Sequence, residues 1–221
     1  MQIPAVREFQ ELDSTNTHAL RIFDELQDGD TVTALRQSAG RGRDGSLWLS
    51  EGKGLYFSIA VKPRNPNAFA FASLTQLLCV CVCAALENHR LTPRIKWPND
   101  VLCEGRKICG ILCQAAANGG TLTGSVAGGG INLSQRAEDF PPDLRCPAAS
   151  FATLGQPVPD RLLLLNNILE QYVKRRPSFA KHGFAAIAQE YNARLAFVDE
   201  QVVLRQNGQL FSGINIGVDG Q

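Results

Sequence analysis

Polar and apolar residues alternate from Val6 to Leu12, the period of two that marks a strand with one buried face. Asp13 or Ser14 can then cap a helix whose apolar stripe is Ala19, Leu20, Ile22, Phe23 and Leu26, and Asp28-Gly29-Asp30 ends it. Thr31 to Arg36 predicts a second strand and Gly54 to Lys62 a third, with a glycine-rich loop from Gln37 to Ser46 between them. Ala68 to Leu86 is uncharged and nearly long enough to cross a bilayer, yet Ser73, Thr75 and Gln76 interrupt it and no basic cluster flanks it. It predicts a helix buried under a sheet.

Three further strands follow, Arg94 to Trp97, Ile108 to Ala117 and Thr121 to Leu133, the last two joined by the hairpin signal Asn118-Gly119-Gly120. Asp160 can cap a helix running to about Arg175, with another helical stretch from Phe184 to Tyr191, and these would cover one face of the sheet. From Ala196 the pattern shifts to short strands, Gln201 to Arg205 and Gln209 to Ile216, turning around Asn207-Gly208. The fold class is therefore α/β (α+β), a mixed, largely antiparallel sheet covered by helices. Residues 1–190 form the main domain and 191–221 a partial β module, whose single hairpin must dock on that domain or be an incomplete remnant.

Composition narrows the functional classes. Lys plus Arg (22) nearly cancels Asp plus Glu (21), so no global field recruits nucleic acid or an anionic membrane, and any basic site is local. Seven cysteines form an odd set, and the N-terminus lacks the plan of a secretory signal, which together point to a reducing cytoplasm. Cys79, Cys81 and Cys83 alternate along a helical stretch and so face different ways, which fits buried apolar thiols rather than a metal cluster.

Three stretches carry candidate chemistry. In Gly40-Arg41-Gly42-Arg43-Asp44-Gly45 the glycines let a ligand approach the backbone while two arginines supply positive charge. The loop lies between strands, unlike the phosphate loops that open a helix, and alone it fits a basic surface turn equally well. Lys96-Trp97-Pro98-Asn99-Asp100 runs through a tight hairpin into Lys107-Ile108-Cys109-Gly110-Ile111, converging two lysines and an aspartate; alone it would be a structural turn with an ion pair. Gly128-Gly129-Gly130-Ile131-Asn132-Leu133 ends a strand without side chains for three positions, so a flat ring, or another packed element, must approach it closely.

Together with Ser14-Thr15-Asn16, these stretches stand in the order and spacing of the biotin protein ligase catalytic domain, which residues 5 to about 195 resemble. The resemblance implies a class II synthetase-like fold followed by a small SH3-like β-barrel, here short of the strands needed to close it. It implies biotin and ATP as substrates, with Mg2+ arriving on the nucleotide, and a biotin carboxyl carrier protein domain of a biotin-dependent carboxylase as acceptor. The chain would be a monomer or homodimer without nucleic-acid or membrane partners, since the triplet at residue 14 leaves no room for an N-terminal DNA-binding domain.

By the same resemblance Ser14, Thr15, Asn16 and Gln37 read the ureido ring, with Gly110, Gly128 and Gly130 near biotin. Lys107, Arg43 and the backbone of Arg41 and Gly42 hold the anions. Asn132, Trp48, Lys96 and Asn99 attend the nucleotide, and Asp100 activates the acceptor lysine. Phe140 or Leu144 would form an apolar lid in a loop from Leu133 to Ser150 that closes over the adenylate. A lipoate or octanoyl ligase of the same superfamily would need a longer apolar pocket, and a non-catalytic biotin-binding protein would lack the reactive lysine.

Overall fold

The computed structural model describes residues 4–65, 70–206 and 208–219. Ala68 and Phe69 of the expected buried helix, Asn207 of the expected turn and the first three residues lie outside them.

A seven-stranded sheet in the order β1-β2-β3-β7-β6-β5-β4 forms the frame. Its strands are β1 (Val6–Leu12), β2 (Thr31–Gln37), β3 (Gly54–Val61), β4 (Arg94–Lys96), β5 (Asp100–Cys103), β6 (Arg106–Asn118) and β7 (Thr121–Asn132). Only β1 and β2 run parallel, because helix α1 (Thr15–Arg21) forms the crossover between them. Every other neighbouring pair is antiparallel. Gly119 and Gly120 both take positive φ, 57° and 82°, which is the backbone of the tight turn joining β6 to β7.

Strand β3 is buried on both faces. Leu55, Phe57, Ile59 and Val61 join the main core with helix α2 (Leu74–Glu87) and helix α3 (Arg161–His182). On the opposite face Ala60 joins Val32, Ala116 and Val126 under Ala19 and Phe23 of the α1 region. Helix α2 lies beneath α3 against the sheet and buries nearly its whole circumference, which explains its uncharged sequence. It starts at Leu74, after a single turn of 3-10 helix, later than the apolar run suggests. Cys79, Cys81 and Cys83 are fully buried, and burial pushes the Cys81 thiol up to about 12, so these thiols act as small apolar side chains.

Asp160 caps α3, its side chain accepting from the amides of Leu162 and Leu163 at 2.9 Å each. Asp160→Ala should lower stability by about 1 kcal/mol and Tm by about 2–4 °C, measurable by calorimetry. The helix runs on to His182 rather than stopping near Arg175, with Pro177 inside it. Buried Phe179 and the pairing of Arg175 with Glu190 hold the last turns in place, offsetting the hydrogen bond that proline cannot make. Arg175, chiefly, and Arg194 keep the Glu190 carboxyl below the usual range.

Helix α4 (Ala188–Ala193) crosses the expected boundary at 190/191. Tyr191 and Leu195 belong to the main core, and Ile95 of β4 exchanges backbone hydrogen bonds with Arg194 and Ala196 at 2.7 and 2.9 Å. The terminal hairpin, β8 (Gln201–Gln206) and β9 (Gln209–Ile214), is held at its open end: Asn215 bonds Ala196, and Asn192 clasps the backbone of Val218 at 2.9 Å in both directions. Val203, Leu210, Phe211 and Ile214 remain exposed. No helix among the described residues is long and apolar enough to cross a membrane.

Candidate active site

The sheet face opposite α2 and α3 gathers the sequence motifs over a floor of glycines. Pairing of β3, β7 and β6 sets Ser58 beside Gly128, Tyr56 beside Gly130, and Gly130 beside Gly110. A Cβ on Gly128 would fall 2.0 Å from Asn16 Oδ1, and one on Gly130 2.4 Å from Trp48 Nε1. A Cβ on Gly110 would meet the Trp48 ring at 2.9 Å, and one on Gly129, on the other face, the Phe57 ring at 2.6 Å. The flat ring that the glycine run calls for is thus supplied by the protein itself, as the Trp48 indole. Its Nε1 is buried with no hydrogen-bond partner among the described residues.

At one end of this floor Ser14 caps α1, and Thr15 and Asn16 enter a buried network. Gln37 Oε1 accepts from the Thr15 amide at 2.8 Å and lies 3.2 Å from its hydroxyl, while Gln37 Nε2 donates to Ser50 at 2.9 Å. Asn16 Nδ2 donates to the Leu112 carbonyl and to Gln114 Oε1, at 3.0 and 2.8 Å. The Ser58 hydroxyl sits 2.6 Å from Asn16 Oδ1 and 2.8 Å from Thr15 Oγ1. This end is built from uncharged side chains and is rich in both donors and acceptors.

The other end is ionic. A bulge between β5 and β6 pairs Leu102 with Lys107 and Val101 with Cys109, so Ile108 is the extra residue. The bulge brings Lys107 onto the face of Gly110, where a Cβ would lie 3.3 Å from its Nζ. Lys107 Nζ is 2.7 Å from Asp100 Oδ1 with side-chain exposures of only 25% and 17%, and stands 5.3 Å from the centre of the Trp48 ring. Asp100 Oδ1 is buried with no hydrogen-bond partner among the described residues, so the contact is an ionic one.

Exposed Arg43 reaches this end through Nη1, 3.2 Å from Asn99 Oδ1, and Asn99 is itself fixed by the Ile111 carbonyl at 3.0 Å. Arg41 is exposed in the same loop. The amide of Gly42 already donates to the Ser46 carbonyl at 2.7 Å, which leaves the positive charge of the loop to the two arginine side chains. Lys96 lies across from Asp100, where β4 meets β5.

Asn132 closes β7, about 13 Å along the strand from Gly128 at the usual rise per residue. Its amide is engaged by the protein, donating to the Ala149 carbonyl at 2.9 Å and accepting from Gln135 at 3.2 Å. Beside it the segment from Pro147 to Ala149 pairs with the Lys107 backbone at 2.7 and 2.8 Å. Beyond lies an open cavity of about 710 Å³ lined by Arg106, Phe140, Leu144 and Pro147 among others. Phe140 and Leu144 therefore flank one cavity, which also takes in Pro147 and Ala148 of the segment that pairs with the Lys107 backbone. Among the described residues no group of three or more His, Cys, Asp or Glu side chains could hold a metal ion.

Ser58 and Gln114 escape sequence reasoning, since each is one polar residue in an apolar strand. Only the register reveals that they meet the α1 triplet.

A sequence model of the Biotin/lipoate A/B protein ligase family matches residues 7–132. The bifunctional ligase/repressor BirA of Bacillus spizizenii is 32% identical over 88% of this chain and 60% of its own length. The chain thus spans about 60% of the two Bacillus relatives that it matches. The biotin--[acetyl-CoA-carboxylase] ligase of Paracoccus denitrificans is 30% identical over 94% of this chain and 88% of its own. Among solved structures, the biotin protein ligase from Aquifex aeolicus in complex with biotin and ATP superimposes with a TM-score of 0.85 at 27% identity, covering 98% of this chain and 88% of that one.

Proposed function

This chain belongs to the biotin/lipoate A/B protein ligase family, and on that premise we propose that it activates biotin with ATP as biotinyl-5'-AMP and transfers the biotinyl group to a lysine of a biotin carboxyl carrier protein. The observation that carries the reading is the polarity of the sheet face, with a neutral hydrogen-bonding end at Thr15 and Gln37 and a cationic end at Lys107. A cyclic urea with a carboxylate-tipped chain matches both ends. An acyl chain or a lipoyl tail would lay apolar surface against this end and offer no donor to the spare acceptor capacity of Thr15. The relatives named for biotin ligation, and the Aquifex structure with biotin and ATP, agree with this choice.

In the first half-reaction a biotin carboxylate oxygen bonds to the α-phosphorus of ATP, and the bond to the departing pyrophosphate breaks. Two anions meet, so Lys107 and the arginines of the loop from Gly40 to Gly45 neutralise charge as it accumulates. Trp48 covers the glycine floor, and Asn132, placed by this reading near the nucleotide, holds Ala149 beside the Lys107 backbone. In the second, the acceptor amine attacks the biotinyl carbonyl carbon, AMP leaves, and Asp100 takes the amine proton. Mg2+ would arrive on the nucleotide and supply charge shielding at its phosphates, since no carboxylate cluster among the described residues would hold it alone.

We place the end of the catalytic domain after Ala196, where pairing with Ile95 ceases, and the protein in the cytoplasm as a monomer or a sheet-edge homodimer. One assay tests the reading: ATP, labelled biotin and a carrier domain should give biotin-dependent pyrophosphate and a labelled carrier. Equal turnover with lipoate or octanoate would replace the substrate, and biotin binding without pyrophosphate would replace the activity. Arg43→Gly should release the adenylate, raising label on unrelated proteins by about tenfold or more, the scale of one charge-assisted contact. Unchanged retention would argue against Arg43 as the clamp.

A further inference from the structure

The buried network at the ring end contains residues that no motif covers. Ser58 is fully buried at its centre, and Gln114 closes it on the strand beyond. Counting hydrogens fixes how it is wired. Asn16 Oδ1 and Gln37 Oε1 can only accept, whereas the hydroxyls of Ser58 and Thr15 supply one hydrogen each. Three close oxygen contacts, at 2.6, 2.8 and 3.2 Å, share those two hydrogens.

Both amide hydrogens of Asn16 are spent on Leu112 and Gln114, so its oxygen takes the Ser58 hydrogen at 2.6 Å. The Thr15 hydrogen then points to Ser58 or to Gln37, in either case inward. The Thr15 oxygen is left as an acceptor. Gln37 is also fixed in one sense, because its Oε1 must face the Thr15 amide. Gly128 permits the arrangement, since any Cβ there would strike Asn16 Oδ1.

We infer that Ser58 and Gln114 are positioning residues of the ring subsite, Ser58 by its contacts with Asn16 and Thr15 and Gln114 through Asn16, which together hold Thr15 as an acceptor. This rests on the biotin ligase reading, in which the acceptor at Thr15 meets a ureido N–H. Both residues set biotin affinity and leave the ionic end untouched.

The test is steady-state ATP–pyrophosphate exchange with biotin and ATP varied separately, supported by calorimetric binding of biotin alone. Ser58→Ala should raise the KM and Kd for biotin about tenfold, one buried hydrogen bond, with kcat and the KM for ATP within about twofold. An unchanged biotin KM, or an equal rise in both KM values, overturns the proposal. Gln114 provides a pair that does not depend on the fold tolerating the Ser58 change. Gln114→Leu removes the acceptor for Asn16 and should weaken biotin, whereas Gln114→Glu keeps it and should restore biotin affinity. Equal biotin KM values for those two variants overturn the proposal. No exchange with biotin in the unmodified chain overturns the functional reading itself, and the inference with it.

Discussion

Lys107→Ala is expected to lower biotin-dependent pyrophosphate release by about 10³-fold, the upper range for losing a preorganised charge partner at a developing anion. The bulge at Ile108 aims this side chain across Gly110, and the Asp100 contact at 2.7 Å holds it there in a partly buried setting. Lys107→Arg should recover little, because the wider guanidinium must fit between Gly110 and the Trp48 ring. Folding is checked by circular dichroism, since the substitution also leaves Asp100 with no cation at that distance. Near-normal release by a folded Lys107→Ala variant would remove this residue from the chemistry.

Asp100→Ala is expected to divide the two half-reactions. Transfer from preformed biotinyl-5'-AMP to the carrier should fall about 10²-fold, the low end for losing a general base, whereas adenylate formation should fall by no more than about tenfold. The activation loss arises because Lys107 keeps its charge but loses the carboxylate that orients it. Supplying the adenylate directly bypasses activation, so equal use of it by the variant and the unmodified chain would make Asp100 only an anchor for Lys107. A rise in pH should partly rescue transfer in the variant, as more acceptor lysine is then neutral.

Much of this arrangement was legible because its parts are local. Alternation from Val6 to Leu12, the cap at Ser14, the glycines of the β6–β7 turn and the cap at Asp160 each depend on neighbours a few residues away. The pairing of Lys107 with Asp100 in the candidate site was legible for the same reason, since both sit in short distinctive runs. Features decided by distant packing were hidden. The helix passes Pro177 because Phe179 and Glu190 reward its continuation, and Ser58 meets Asn16 only through the register of β3 beneath α1. Asn132 stood out in the sequence as a candidate site residue, but not as one whose amide is already spent on Ala149 and Gln135.

The contact between Trp48 and the glycines has a bearing on which sequences can carry this fold. An alanine at Gly130 or Gly110 would need space the indole occupies, and a small residue at Trp48 would leave a bare backbone trough open to water. Each position thus tolerates change only if its counterpart changes in the same lineage. Divergent members of the family should therefore exchange the tryptophan and the glycines as a set, and a chain that lost one alone would carry a damaged site long before it lost its fold.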